Sequence, residues 1–141
     1  IAGALGALTL GPLVDRYGPT PALPVAYLVA AGSIAAIGLA GGSVLLNLIA
    51  VLGAGYGIVG CQDCNSGVAA KLYPPAVRGT GVGWALGIGR IGSIVGPWLA
   101  GEMLAARFEP RTIFLFSAIP ATLAALAYLA MGRRPEFAPE A

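Results

Sequence analysis

Histidine is absent from this sequence of 141 residues, and charged residues make up only 10% of it. Ordinary soluble domains carry roughly one-quarter charged residues, so this chain cannot cover a water-facing surface. The eight Lys and Arg residues are scattered and form no basic run interleaved with aromatics, the pattern typical of nucleic-acid binders. The composition excludes a soluble domain, and we expect no nucleic-acid partner.

Metal ligands and catalytic groups are also scarce. The two cysteines, Cys61 and Cys64, lie in an apolar stretch and, without histidine, cannot complete a four-ligand zinc site or a disulfide framework. Inside a membrane span their C-x-x-C spacing indicates small buried residues rather than a redox pair. Because the sequence offers no nucleophile with a base and no metal cluster, we expect no metal, no cofactor and no enzymatic activity.

Hydrophobic residues dominate instead, at 57%, together with 22 glycines and 11 prolines. Membrane helices tolerate glycine and proline because neighbouring helices satisfy the freed backbone groups. The sequence therefore predicts an all-α polytopic membrane bundle, in which a partial helix precedes four complete spans and a polar tail. The predicted segments are 1–13 (partial), 22–40, 44–72, 79–106 and 112–131, with the tail at 132–141.

The first segment indicates a truncated start. Residues 1–13 would rise only about 20 Å as a helix, short of the roughly 30 Å hydrocarbon core. The chain also begins with Ile1 rather than methionine. We therefore expect the end of a cut helix here.

Basic residues set the predicted orientation. The connections near 14–21 and 73–78 and the tail fall on one side of the membrane, because an even number of spans separates them. Cytoplasmic loops are enriched in Lys and Arg. That side carries five basic residues, namely Arg16, Lys71, Arg78, Arg133 and Arg134. The opposite side carries two, Arg107 and Arg111. We predict that these loops and the tail are cytoplasmic.

Two ionisable residues, Asp63 and Arg90, lie deep within the predicted spans. An arginine there costs at least about 3 kcal/mol in lipid, so a partner or a polar cavity must compensate it. In one interpretation the two residues pair and hold their helices together. In the other, Arg90 binds an anionic ligand, and the two interpretations are compatible. The predicted substrate-binding residues, grouped by their helical faces, are Tyr56, Gln62, Asp63, Asn65 and Arg90.

Glycines surround Arg90 in the string from Gly87 to Gly92, which matches the dinucleotide fingerprint G-x-G-x-x-G. That motif has meaning only between a strand and a helix of a βαβ unit, so we reject it inside a membrane span. Small residues four positions apart instead let helices approach closely. The sequence predicts helix packing at Gly79, Gly83, Gly87, Gly92 and Gly96.

Two stretches resemble a known transporter family. Residues Gly11 to Gly18 resemble the G-x-L-x-D-R-x-G signature of the major facilitator superfamily, which occupies a cytoplasmic loop in each half of those transporters. The stretch from Gly60 to Gly101 is similar to the penultimate helices of aromatic acid:proton symporters, the bacterial 4-hydroxybenzoate and benzoate carriers. Its matching residues are Tyr73-Pro74, Arg78-Gly79-Thr80-Gly81, Gly83-Trp84, Gly87-Ile88-Gly89-Arg90 and Gly96-Pro97. The likeness covers essentially the whole chain and implies a C-terminal half, from the end of helix 8 through helix 12.

The resemblance implies roles for particular residues. Arg90 corresponds to the helix 11 arginine that meets the substrate carboxylate. In the transport mechanism that we expect on this basis, Tyr56 would line the aromatic ring. This chain has Pro19 and Thr20 where the family usually has two basic residues. The cytoplasmic gate motif would comprise Gly11, Asp15, Arg16 and Gly18.

The function implied by the resemblance is proton-coupled uptake of an aromatic carboxylic acid, such as 4-hydroxybenzoate or benzoate, by alternating access across the bacterial cytoplasmic membrane. Its partners would be the carboxylate substrate, protons, the lipid bilayer and the missing N-terminal half. Two alternatives stay open. One is a carrier of the same superfamily for another small organic anion or a sugar, which would leave Arg90 without its ligand if the substrate lacks a carboxylate. The other is a non-transporting membrane scaffold.

Overall fold

The structure, a computed structural model, describes residues 2–132 and shows within them an all-α fold. The helices of this part are α1 (Ala2–Tyr17), α2 (Pro19–Leu39), α3 (Val44–Leu72), α4 (Arg78–Ala105) and α5 (Pro110–Gly132). The predicted all-α class is confirmed. The polar tail with Arg133 and Arg134 lies outside the described residues.

The first connection is much shorter than the predicted loop at 14–21. Helix α1 continues to Tyr17 and α2 starts at Pro19, so Gly18 alone separates them. Gly18 adopts a φ of 85°, which glycine reaches without steric cost. Pro19 fits the first position of α2, because a backbone N–H there would have no partner within the helix. Asp15 therefore lies in the last turn of a helix, and the loop prediction was wrong at this point.

Two glycines of α3 that were not among the predicted packing residues lie at close helix contacts. Helix α3 approaches α1 and α2 closely, because a Cβ on Gly57 would come within 2.7 Å of the Ala26 carbonyl oxygen and one on Gly60 within 2.7 Å of Leu10. By contrast, within the described part no atom of another element would lie within 4 Å of a Cβ on the α4 glycines Gly79, Gly83, Gly87, Gly92 and Gly96. Their packing role stays a prediction.

The buried core lies where α1, α2, α3 and α5 meet. Helix α2 packs along both α3 and α5, while α1 packs along α3. Cys61 is completely buried there, in keeping with the small packing residue that the sequence predicted. The cluster consists of Leu10, Val14, Ala22, Leu23, Ala26, Tyr27, Cys61, Val68 and Ala125.

Helix α4 differs from the others in exposure and composition. Its 28 residues include no buried one, and Trp84 and Ile94 are 70% and 71% exposed. Among the described residues, three segments are long and apolar enough to cross a membrane, namely Pro19–Leu39, Val44–Ala70 and Pro110–Gly132. Helix α4 has the length but is diluted by eight glycines and Arg90, so length and hydropathy support three of the four predicted complete spans.

Candidate functional site

A cavity of about 580 Å³ lies between α3 and α4, within the range of small-molecule sites. Helix α3 contributes one stripe of side chains at i, i+3, i+4 and i+7, which lie on a single face of a helix. Helix α4 supplies the opposite wall, and Tyr27 of α2 also lines the cavity. The lining residues are Tyr27, Ile58, Gln62, Asn65, Ser66, Ala69, Val82, Ala85, Leu86, Gly89, Arg90 and Ser93.

Arg90 supplies the positive charge of this cavity. The neighbouring wall of α4 is small or smooth, with Ala85 and Gly89 lining the same space, which leaves room beside the guanidinium. Ser93 Oγ donates a hydrogen bond of 2.7 Å to the backbone carbonyl of Arg90. Within residues 2–132 the guanidinium forms no salt bridge. It can therefore present its planar set of donors to an anion.

Asp63 does not join Arg90. In the described part of the chain no ion pair connects them, and Asp63 is absent from the cavity that Arg90 lines. The reason is rotational, because adjacent helical residues differ in direction by about 100°. With Gln62 on the α4 side, Asp63 falls beside Gly60, which packs on α1. The expected pairing is not formed in this structure.

Asn65 lines the cavity but is held by two tyrosines. Its Nδ2 donates a 2.6 Å hydrogen bond to the Tyr27 hydroxyl, and the Tyr128 hydroxyl donates a 2.7 Å bond to its Oδ1. The two rings stack with centroids 6.0 Å apart. Sequence reasoning grouped Asn65 with substrate and missed both tyrosines. A signal was present, since a tyrosine within an apolar span requires a polar partner for its hydroxyl.

Tyr56 lies apart from Arg90. It borders a second cavity of about 620 Å³, between α1 and α2. Thr9 Oγ1 donates to the Leu5 carbonyl at 2.7 Å, so its single hydrogen is used and the Tyr56 hydroxyl donates to Thr9 over 2.7 Å. The structure thus ties Tyr56 to α1 and does not bring it to the cavity where its ring was predicted to contact substrate.

The predicted gate motif lies in the C-terminal part of α1 and in the Gly18 break that follows it. Asp15 and Arg16 are exposed, and the Arg16 guanidinium lies 5.5 Å from the centroid of the Tyr17 ring. A cation in the last turn of a helix also interacts favourably with the helix dipole. Arg16 lines the second cavity and not the cavity that Arg90 lines.

Of the five predicted substrate-binding residues, the structure collects Gln62, Asn65 and Arg90 around one cavity and leaves out Tyr56 and Asp63. Ser66 and Ser93 belong to the same lining and were not among the predicted substrate-binding residues. Ser66 follows Gln62 by one helical turn, so the spacing that identified Gln62 contained it as well.

Comparison with known proteins matches all of residues 1–141 to the family model of the Major Facilitator Superfamily. The chain is 36% identical, over 94% of its length, to a gallate transporter of Pseudomonas putida. It is 36% identical over 92% to the 4-hydroxybenzoate transporter PcaK of Pseudomonas aeruginosa, and 34% over 99% to a benzoate transport protein of Acinetobacter baylyi. These matches cover 29%, 29% and 30% of the relatives, so the chain spans less than a third of their length. No solved structure matches.

Proposed function

The chain belongs to the major facilitator superfamily, and on this basis we propose that it forms the C-terminal part, from the end of helix 8 through helix 12, of a proton-coupled transporter for an aromatic carboxylic acid. The superfamily consists of transporters rather than enzymes, and the three relatives compared above are transport proteins. The transporter acts in the cytoplasmic membrane of a bacterium. Its substrate is a small aromatic acid, taken up by alternating access.

The observation that carries the proposal is the position of Arg90 in the cavity between α3 and α4. A guanidinium binds a carboxylate through two parallel hydrogen bonds, which fixes the orientation of a planar acid as well as its charge. Ile58 and Leu86 in the same lining offer apolar surface to an aromatic ring. A sugar would use the polar groups but would leave the arginine without an anion.

Alternating access requires one part of the bundle to move against another around the site. Asn65 and its two tyrosines join α2, α3 and α5 into one unit, whereas α4 has no buried residue. We assign the cytoplasmic gate to Asp15 and Arg16 at the end of α1, following the family motif. The proton-binding carboxylates of the first helix would lie in another part of the protein.

Substitution of Arg90 in the complete transporter tests the proposal. Arg90→Lys keeps the charge but loses the planar pair of donors, and Arg90→Ala removes both. Loss of a charge-assisted hydrogen bond of about 2 kcal/mol weakens binding roughly thirtyfold. We expect Arg90→Lys to impair uptake of labelled benzoate-type acids severely and Arg90→Ala to abolish it, at unchanged membrane levels.

The matched controls are Arg111→Lys and Arg111→Ala, because Arg111 is an exposed arginine in the first turn of α5. Both controls should transport normally. Unimpaired uptake of an aromatic acid by Arg90→Ala would refute the proposed role of this arginine. Uptake of sugars but not of acids by the unaltered protein would favour the other substrate class.

The acids named for the three relatives differ in their ring hydroxyl groups. Gallate and 4-hydroxybenzoate carry ring hydroxyl groups and benzoate carries none, yet the identities are 36%, 36% and 34%. Overall likeness therefore does not select between hydroxylated and unsubstituted acids for this chain.

A further inference from the structure

Two neutral polar side chains of the Arg90 cavity, Gln62 and Ser66, have no side-chain hydrogen bond within residues 2–132. The other polar groups of the lining are already engaged. Asn65 bonds to both tyrosines, and the Ser93 hydroxyl donates to the backbone of its own helix. Apart from the guanidinium and the Tyr27 hydroxyl, which already accepts a hydrogen bond from Asn65, Gln62 and Ser66 are thus the polar side chains of this lining that are left to bind a ligand.

Their placement is fixed by the surrounding structure. Gln62 and Ser66 are one turn apart on α3, so their Cβ atoms lie about 5–6 Å from each other on one face. Asn65, which directly precedes Ser66, is held by tyrosines of α2 and α5, and this sets the rotation of α3 about its axis. Both side chains therefore face the cavity across from α4 and Arg90.

The chemistry of these two side chains differs from that of Arg90. The glutamine amide offers a donor and an acceptor, and the serine hydroxyl does the same, whereas a guanidinium only donates. A carboxylate only accepts, so it matches Arg90 best. A phenolic hydroxyl both donates and accepts, so it matches Gln62 and Ser66. An unsubstituted ring edge would bury their polar atoms without partners, which is costly.

We infer that Gln62 and Ser66 bind a ring hydroxyl group, so that the substrate class is hydroxylated aromatic acids rather than benzoate itself. The inference rests on the proposed function, since it requires an aromatic acid anchored at Arg90. Arg90 supplies affinity for any such acid, and the pair on α3 supplies the preference among them.

The test compares 4-hydroxybenzoate with benzoate, which differ by one hydroxyl group, in uptake assays on the complete transporter. Gln62→Met keeps the side-chain length but loses the amide, and Ser66→Ala loses the hydroxyl. We expect the unaltered transporter to have a KM roughly three- to tenfold lower for 4-hydroxybenzoate than for benzoate, and we expect the double variant to lose that preference. Ser117→Ala is the control, because its hydroxyl bonds to the Ile113 carbonyl within α5.

The ratio of the two KM values is independent of expression, so the single variants decide the test if the double variant does not reach the membrane. An unchanged ratio in the variants, or a preference for benzoate in the unaltered protein, would overturn the inference while leaving the proposed function intact. If the unaltered protein takes up neither acid, both the inference and the proposed function are overturned. If Arg90→Ala takes up neither acid, and the ratio of the two KM values changes in the Gln62 and Ser66 variants, the inference and the proposed function are both supported.

Discussion

The carboxamide of Asn65 connects three helices through two hydrogen bonds, because Tyr27 belongs to α2 and Tyr128 to α5. Tyr27 is only 8% exposed, and its hydroxyl accepts its hydrogen bond from Asn65. Loss of one member leaves the others with unsatisfied polar atoms in an apolar environment. The same residue borders the cavity, which couples the stability of the bundle to the geometry of the site.

Tyr128→Phe tests this connection. The substitution removes the donor to Asn65 Oδ1 and should lower stability by about 1 kcal/mol, the usual scale of interhelical hydrogen bonds in membranes. Thermal unfolding of the purified transporter in detergent would measure it as a lower Tm. Tyr73→Phe is the control, since Tyr73 is 40% exposed in a connection. Equal melting temperatures for both variants would show that the Tyr128 hydroxyl contributes nothing.

Arg90 and Gln62 could be found from the sequence, whereas the contacts of Tyr56 and Asp63 could not. An arginine within an apolar span stands out because its cost in lipid demands compensation. The sequence does not determine which neighbouring helix each face of α3 contacts. Helix α3 is apolar nearly all round, so periodicity does not single out one face. That choice is made by close contacts of Gly57 and Gly60 with α2 and α1, together with the hydrogen bonds of Asn65 to α2 and α5.

Helix α3 carries glycines in two contrasting environments. A Cβ on Gly57 would meet the Ala26 carbonyl oxygen and the Ala30 Cβ at 2.7 Å, whereas one on Gly67 would meet nothing within 4 Å. The same substitution therefore has opposite consequences within a single helix. Alanine at Gly57 would force α2 to move away from α3. Alanine at Gly67 would raise the helix propensity of α3 without a clash.

Gly57→Ala should accordingly destabilise the bundle by about 1–3 kcal/mol, as overpacking does. Gly67→Ala should be neutral or stabilising by up to about 1 kcal/mol. Folded yield in the membrane and Tm in detergent, measured side by side for the two variants, would reveal the difference. Greater damage from Gly67→Ala than from Gly57→Ala would contradict the packing of α2 against α3.

The connections follow from the order of the helices along the chain. If α2, α3 and α4 each cross the bilayer, the end of α1 and the connection before α5 lie on opposite sides. The sequence predicted this alternation from its apolar segments. It did not predict that the first break shrinks to Gly18, because Asp15 and Arg16 were interpreted as loop residues although a helix can end on them.

Cysteine labelling in oriented vesicles tests the resulting topology. Tyr17 is 53% exposed and Glu109 is exposed in the connection before α5. We expect a membrane-impermeant maleimide to reach Tyr17→Cys from the cytoplasmic side and Glu109→Cys from the opposite side, against the background of Cys61 and Cys64. Labelling of both from one side would exclude an odd number of crossings between them.

The composition of α4 has a consequence for biogenesis. A nascent span leaves the translocon for lipid according to its own hydrophobicity, and an arginine at its centre opposes that step by about 2.5–3.5 kcal/mol. Helix α4 carries such an arginine and eight glycines, and it is not one of the three described segments that are long and apolar enough to cross a membrane. We therefore expect α4 to enter the bilayer as a hairpin with α5, whose apolar residues offset that cost. A helix suited to receiving an anion thus depends on its neighbour during synthesis.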